Sequence, residues 1–338
     1  VKNTGREETV SLQENLQEND PLQEEMQIET EKEEKEEKED SPESAAKEQT
    51  AVSEEELDLE DDIENGYFHF LRPSDGLIAA FFVPVAVLII LFAQRGIFPF
   101  GEECFLRTDM YHQYAPFFSE FQYKLKQGGS LLYSWDIGMG VNFSALYAYY
   151  LASPVNWLII LCPKKFIIEF MTILIMVKTG LCGVTFTWYL DHHFEKKHFV
   201  AGVFGIFYAL SGYMAAYSWN IMWLDCIFLL PLILYGLEQL VQEKKGLFYC
   251  VTLGLSILSN YYISIMICIF MVMYVIVQVI LYPPKKIKDL VATGVRFGFY
   301  SLLAGGLAAV VLLPEIYALQ ATASGDFDFP KTISCYFS

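Results

Sequence analysis

The first 66 residues lack aromatic side chains altogether and contain few basic ones. They hold 25 acidic side chains against 6 basic ones, so the net charge of this segment is −19. Without large apolar side chains, it cannot bury enough surface to offset the entropy lost on folding. We therefore predict a disordered acidic tail over residues 1–66. The Glu/Lys-rich run at 31–40 allows a transient single helix, and a partner-binding acidic arm is the alternative to a solvated tail.

Residues 67–338 lack a substantial net charge, with 16 acidic against 17 basic side chains, and they lack paired cysteines. The 7 cysteines are scattered with no Cys-x-x-Cys pair, so neither a disulfide framework nor a metal site is supported. The glycines between 128 and 140 lack the spacing and the lysine of a phosphate loop, and turns explain them. We expect no nucleic-acid partner.

Long runs of leucine, isoleucine, valine and phenylalanine fill this second part, and they are too long for a soluble core. Runs of about 20 apolar residues are long enough to cross the hydrocarbon layer of a bilayer. The fold class is therefore an all-α integral membrane protein over 67–338 with about seven transmembrane helices. The candidate spans are 77–98, 166–190, 199–217, 221–241, 247–261, 263–281 and 290–313.

The lysines predict the orientation of these spans. Connectors at 191–198, 242–246 and 283–289 carry lysines, whereas the alternate connectors carry none, so the basic connectors and the acidic tail are expected in the cytoplasm. A further apolar segment at 146–162 is interrupted by Ser153 and Pro154. Because a full crossing there would invert the orientation, we predict that it lies on or dips into the outer face. Residues 98–165 then form one large extracytoplasmic loop.

Asp109 is the leading functional candidate, because it follows the first span and precedes an aromatic segment containing Tyr111 and His112. Ionisable groups near the bilayer are costly and often mark substrate or ion sites. Simpler roles exist for these residues: aromatic rings anchor span ends, Asp136 suits a turn, and Asp225 suits a helix cap or a pair with an arginine. Glu169 and Lys178 are expected to form a structural pair. Candidates to bind substrate at the outer face are Arg107, Tyr111, His112, Trp135, Asp136, Asn142, Trp219, Asn220, Asp225, Asn260 and Tyr261.

Five motifs in order resemble the bacterial YfhO membrane-protein family: TDMYHQY at 108–114, SWDIGMG at 134–140, SGY at 211–213, WNIMWLD at 219–225 and SNYY at 259–262. The resemblance extends over about 67–329 and excludes the acidic tail. Members of that family are generally much longer, with further spans. The chain is therefore expected to be an N-terminal fragment, truncated after its seventh span.

The resemblance implies a multispanning glycosyltransferase of the GT-C architecture in the bacterial plasma membrane. Such an enzyme transfers sugar from a polyprenyl-phosphate-linked donor to a cell-wall polymer outside the membrane, such as lipoteichoic acid. It implies that Asp109 is the general base, and Arg107 or His112 would assist the leaving phosphate. No cofactor is expected, and a divalent metal ion is unsupported because no Asp-x-Asp pair lies near Asp109. The alternatives are a transporter or flippase using Asp225 and Glu169, and an inactive scaffold.

Overall fold

The computed structural model describes residues 73–106, 109–195, 199–284 and 286–320. The acidic tail, Arg107 and the basic connector residues Lys196, Lys197 and Lys285 lie outside these ranges. The helices are α1 (Pro73–Gln94), α2 (Ala115–Gln127), α3 (Phe143–Leu146), α4 (Ile167–His193), α5 (Phe199–Ala209), α6 (Gly212–Tyr217), α7 (Leu224–Gln242), α8 (Leu247–Ser259), α9 (Tyr261–Leu281), α10 (Ile287–Leu307) and α11 (Ala309–Gln320).

Shorter elements complete the chain between α1 and α4. A π-helical turn, Met110–Tyr114, leads directly into α2, and a second, Tyr147–Leu151, continues α3. Two short strands, β1 (Tyr133–Ser134) and β2 (Val141–Asn142), pair antiparallel, so that Tyr133 faces Asn142. Two 3₁₀ helices, Pro154–Leu161 and Lys164–Phe166, precede α4.

The described residues contain 6 helices long and apolar enough to cross a membrane, or 7 if one bent pair counts as a span. These helices are Ser74–Gln94, Lys164–His193, Phe199–Tyr217, Leu224–Gln242, Tyr261–Leu281 and Ile287–Leu307. The predicted all-α membrane fold is confirmed. The predicted span at 247–261 differs, because α8 has 13 residues and reaches only about 20 Å at 1.5 Å per residue. Asn260 ends it by capping the next helix.

The bent pair is the segment that the sequence assigned to the outer face. The chain bends by 102° between its halves, Phe143–Leu151 and Pro154–Leu161. Proline at the start of the second half cannot continue the hydrogen bonding of the first half, so a change of direction there is expected. The segment is not one straight span. The side of the membrane on which it lies stays a prediction.

Small residues allow α1, α4 and α5 to pack at close range. A Cβ atom added to Gly183 would overlap the carbonyl oxygen of Ala80, and one added to Gly202 would lie 2.5 Å from the carbonyl oxygen of Gly76. Close backbone approach through glycine and alanine is a usual way for membrane helices to associate, because lipid supplies little hydrophobic drive between them. The first half of α1 is thereby held against α4 and α5.

A second apolar cluster joins α7, α8, α9 and α10 through buried side chains that include Leu237, Tyr249, Met271 and Ala304. Hydrogen bonds gather residues of these helices into two separate groups, one around Asn220 and Asn260 and one around Glu238. These groups mark two ends of the membrane part. We call one the Asp109 end, since it holds Asp109, Asn220, Asn260 and α11. We call the other the His193 end.

Candidate active site

Asp109 precedes the π-helical turn and is exposed. Its side chain does not cap that turn. The two ends of the turn, Met110 and Tyr114, are buried in an apolar cluster with Phe118, Phe143 and other residues. The turn is thus fixed on one side by packing, and Asp109 is left accessible on the other.

Tyr114 connects this turn to the helix bundle. Its hydroxyl donates a 3.1 Å hydrogen bond to Oδ1 of Asn220, and its ring stacks on Trp219 at 6.3 Å and 11°. Burial raises the pKa of Tyr114 above its ordinary value, and the phenol of Tyr150 and the carboxylate of Asp109 raise it further. Tyr114 therefore stays a neutral hydrogen-bond donor, and Asp109 lies close enough to affect two phenols.

Further rings extend from Tyr114 across the Asp109 end. Tyr150 lies 5.4 Å from Tyr114, and Tyr149 lies 4.7 Å from Tyr150 and 5.9 Å from Tyr261. We define the aromatic cluster as Tyr114, Tyr149, Tyr150, Trp219, Trp223, Tyr261 and Tyr262. Rings from four separate parts of the chain therefore form one surface beside Asp109.

Two asparagines are hydrogen-bonded to residues that form this surface. The Asn260 amide donates a 2.9 Å hydrogen bond to the carbonyl oxygen of Tyr149, while its Oδ1 accepts one from the backbone N–H of Ile263. Asn220 accepts the Tyr114 hydroxyl, and its own Nδ2 is buried without a partner among the described residues. Asn260 is thus engaged in structure, whereas Asn220 keeps one unused donor.

Glu315 is a member of the site that the sequence did not select. The Tyr261 hydroxyl donates to its Oε1 at 2.7 Å, and its Oε2 is buried with no hydrogen-bond partner within the described ranges. The feature of the sequence that indicates a role for Glu315 in the site is its position just beyond the last predicted span. A second carboxylate therefore borders the aromatic cluster on the side of α11.

Asp225 lies below the surface and is paired. Its Oδ2 is 2.5 Å from Nζ of Lys178, and its Oδ1 accepts a 2.7 Å hydrogen bond from Ser153. Lys178 also donates to the carbonyl oxygen of Ile221 at 3.1 Å. The sequence-based pairing of Lys178 with Glu169 is thus wrong, because the cation reaches across to α7. The pair also anchors the bend at Ser153.

The hairpin candidates lie in their own local structure. Trp135 is exposed and meets the Tyr133 ring at 4.9 Å. The Oδ1 of Asn142 accepts hydrogen bonds from Ser144 and from the backbone N–H of Ala145, so it caps α3. Asp136 is exposed in the turn that joins β1 to β2. Within the described ranges, the hydrogen bonds and ring contacts of these three residues do not reach the aromatic cluster.

Tyr111 and His112 are exposed, with their rings 5.4 Å apart, on the same turn as Asp109. Arg107 lies outside the described residues. Within the described ranges, no group of three or more histidine, cysteine, aspartate or glutamate side chains is placed to hold a metal ion.

A model of the family described as bacterial membrane protein YfhO matches residues 79–336. The chain belongs to this family. The match begins within α1 and includes Asp109 and the whole aromatic cluster. Comparison with curated proteins and with solved structures found no match in either case.

In this YfhO-family chain, the site is therefore built from the segment before α4, the α6–α7 and α8–α9 connections, and α11. The fold brings together Asp109, Trp219, Asn220, Asn260 and Tyr261 from the sequence-predicted set. It adds residues that this set omitted: Tyr114, Tyr149, Tyr150, Trp223, Tyr262 and Glu315. These rings resemble ordinary interfacial anchors in the sequence, so only their mutual contacts distinguish them.

Proposed function

We propose that this chain is a GT-C-type glycosyltransferase. The donor is a polyprenyl-phosphate-linked sugar, and the acceptor is a hydroxyl of a cell-wall polymer such as lipoteichoic acid. The reaction takes place on the outer face of the plasma membrane, with the N-terminal tail in the cytoplasm. The observation that supports this best is the exposed Asp109 beside a continuous aromatic surface.

Asp109 is the general base in this proposal. The acceptor hydroxyl attacks the anomeric carbon of the donor sugar and gives its proton to the Asp109 carboxylate. The new carbon–oxygen bond forms as the bond to the phosphate oxygen breaks, and the electron pair leaves with the polyprenyl phosphate. A positioned carboxylate lowers the barrier because a neutral hydroxyl is a poor nucleophile.

The aromatic cluster positions the sugar. Its rings offer flat apolar faces against the C–H faces of a sugar, while its phenols offer donors and acceptors for hydroxyl groups. A mixture of apolar walls and a few directed polar groups is typical of small-molecule sites. The cluster lies beside Asp109, which suits an acceptor hydroxyl held over that carboxylate.

The test is sugar transfer in proteoliposomes, measured as label passing from a polyprenyl-phosphate-linked sugar into lipoteichoic acid. Asp109→Asn should lower the rate by at least about 100-fold, the usual contribution of a general base. Glu102→Gln, which neutralises another exposed carboxylate after α1, should retain the rate. Full transfer by Asp109→Asn would remove Asp109 from the mechanism.

The same preparation separates the transporter alternative. Counterflow of labelled substrate without covalent transfer would favour a transporter or flippase. That alternative uses Asp225 and Glu169 along a path. Asp225 is buried against Lys178 and Ser153, whereas Oε2 of Glu169 is buried with no hydrogen-bond partner among the described residues. The observed pairing therefore supports a structural role for Asp225, and counterflow tests the path.

A further inference from the structure

A cavity of about 540 Å³ lies between the end of α1 and the α5–α6 segment. Its apolar lining includes Leu88, Leu91, Phe105, Leu210, Met214 and Ala215. Leu91 and Leu210 are partly exposed on the outside of the helices, where a bilayer would place lipid. The cavity therefore offers an apolar path that continues from the lipid phase into the protein.

Arg95 lies at one end of this cavity, one residue past α1. It is exposed, and the structure gives its guanidinium no hydrogen bond or ion pair with another described side chain. A smaller cavity of about 330 Å³ adjoins it, lined by Arg95 together with Glu103 and others. An apolar cavity with an unpaired cation at its end is complementary to a lipid that carries an anionic headgroup.

Trp219 joins this cavity to the active site. One part of Trp219 lines the cavity, and its ring also stacks on Tyr114. Tyr114 in turn lies near enough to Asp109 for that carboxylate to influence its pKa. Arg95 and one member of the aromatic cluster, Trp219, therefore line the same cavity.

We propose that this cavity holds the prenyl chain of the donor nearest its phosphate, and that Arg95 binds that phosphate. The inference rests on the proposed function, because it takes the donor class from there. A guanidinium matches phosphate oxygens with two parallel hydrogen bonds and remains charged at any physiological pH. As the sugar–phosphate bond breaks, the charge that develops on the leaving phosphate is stabilised by the same group.

The test measures binding of a polyprenyl phosphate and of the matching polyprenol to the detergent-purified chain by native mass spectrometry. Arg95→Gln should weaken polyprenyl phosphate binding roughly tenfold or more, as expected for charge-assisted hydrogen bonds, and leave polyprenol binding unchanged. Arg95→Lys should retain part of the phosphate binding. Leu210→Trp, which fills the cavity, should weaken binding of both lipids.

Matched controls lie outside the cavity at comparable positions. Lys164→Gln removes an exposed cation at the same end, and Leu302→Trp enlarges an exposed apolar side chain on α10. Both should bind polyprenyl phosphate as the unmodified chain does. Asp109→Asn should also bind normally, because Asp109 acts on the acceptor.

Two results would overturn the site. One is polyprenyl phosphate binding that is unaffected in both Arg95→Gln and Leu210→Trp. The other is displacement of the ligand by an equal concentration of phosphatidylglycerol, which would make the cavity an ordinary lipid site. Either result leaves the Asp109 transfer assay to decide the proposed function. Conversely, Arg95-dependent binding without any sugar transfer would uphold the site and refute the function.

Discussion

Glu238 at the His193 end and Asp109 at the other end are carboxylates in opposite environments. At the His193 end, Glu238 is buried and accepts hydrogen bonds from Tyr189 at 2.8 Å and Tyr274 at 2.5 Å, while His193 Nδ1 lies 2.9 Å away. At the Asp109 end, Asp109 is exposed and does not cap its own turn. A carboxylate surrounded by donors stabilises the fold, whereas an accessible one near rings is available for a ligand.

The connections between the helices also differ between the two ends in the side chains that they carry. The His193 end carries exposed Lys244 and Lys245 on one connector and Lys286 and Lys288 on another. Its acidic residue Glu243 pairs with Lys245 at 2.6 Å on the surface. The Asp109 end also has exposed cations, among them Arg95, Lys164 and Lys165, and it differs by carrying the aromatic cluster. This difference suits an anchoring face at one end and a ligand-binding face at the other.

Labelling of introduced cysteines should give the largest difference between the two ends, since one end is expected outside the cell and the other inside. In a chain with Cys104 replaced by serine, Lys164→Cys should react with a membrane-impermeant maleimide applied to intact cells. Lys244→Cys should react only after the membrane is opened. Labelling of Lys244→Cys in intact cells would contradict the predicted orientation.

Breaking the buried pair beneath the Asp109 end should have the largest effect on stability. Lys178→Met leaves Asp225 as an uncompensated buried charge, which costs roughly 3–5 kcal/mol. The expected result is a strongly lowered melting temperature in detergent, measured by size-exclusion after heating. Lys165→Met, at an exposed position, should melt close to the unmodified chain.

The double variant Lys178→Met/Asp225→Leu sharpens this result. Replacing both partners removes the buried charge, so the double variant should be more stable than Lys178→Met alone. Equal instability of the two would show that the cost arises from packing rather than from the unpaired charge.

Removing the satisfied carboxylate at the His193 end should have a smaller effect. Glu238→Ala deprives the hydroxyls of Tyr189 and Tyr274 of their acceptor, at a cost of about 1–3 kcal/mol. The melting temperature should fall while sugar transfer per folded molecule is retained. Glu243→Ala, on the exposed side of the same end, should change stability by less than about 0.5 kcal/mol. Lost transfer in a folded Glu238→Ala variant would contradict the division between the two ends.

Tyr114→Phe should lower the stability less than Glu238→Ala does. The variant keeps the ring contacts with Trp219 and Tyr150 and loses only the hydrogen bond to Asn220, worth about 0.5–1.5 kcal/mol. Transfer should fall moderately, because the turn that carries Asp109 is held less firmly. Trp219→Phe, which removes a stacking partner but no hydrogen bond to Tyr114, provides the comparison. Unchanged transfer in Tyr114→Phe would mean that the packed turn alone positions Asp109.

Hydropathy alone was sufficient for most of the membrane fold. Apolar runs placed the first span at 77–98, and the observed helix ends at Gln94. The helix predicted at 247–261 ends two residues early, at Ser259, because Asn260 leaves the helical conformation and its side chain caps α9. Hydropathy sums do not register a cap, because a capping asparagine between apolar residues hardly lowers the average.

The site was only partly predictable for a different reason. Asp109 stood out because a carboxylate beside a span is costly. Tyr149 and Asn260 lie 111 positions apart in sequence, and no periodicity relates them. Arg95 ends a span, where a cation usually needs no special explanation. Its importance depends on the neighbouring cavity, which two helices from separate parts of the chain create.

The sequence by itself determined that this is a membrane protein of the YfhO family with a candidate acid just beyond its first span. Apolar run length and local charge are properties of neighbouring residues, so they can be read without a structure. Only the tertiary structure decided that Lys178 neutralises Asp225, that seven rings form one surface, and that Arg95 ends an apolar cavity. These depend on distances between remote segments, which helix packing sets and the order of residues does not display.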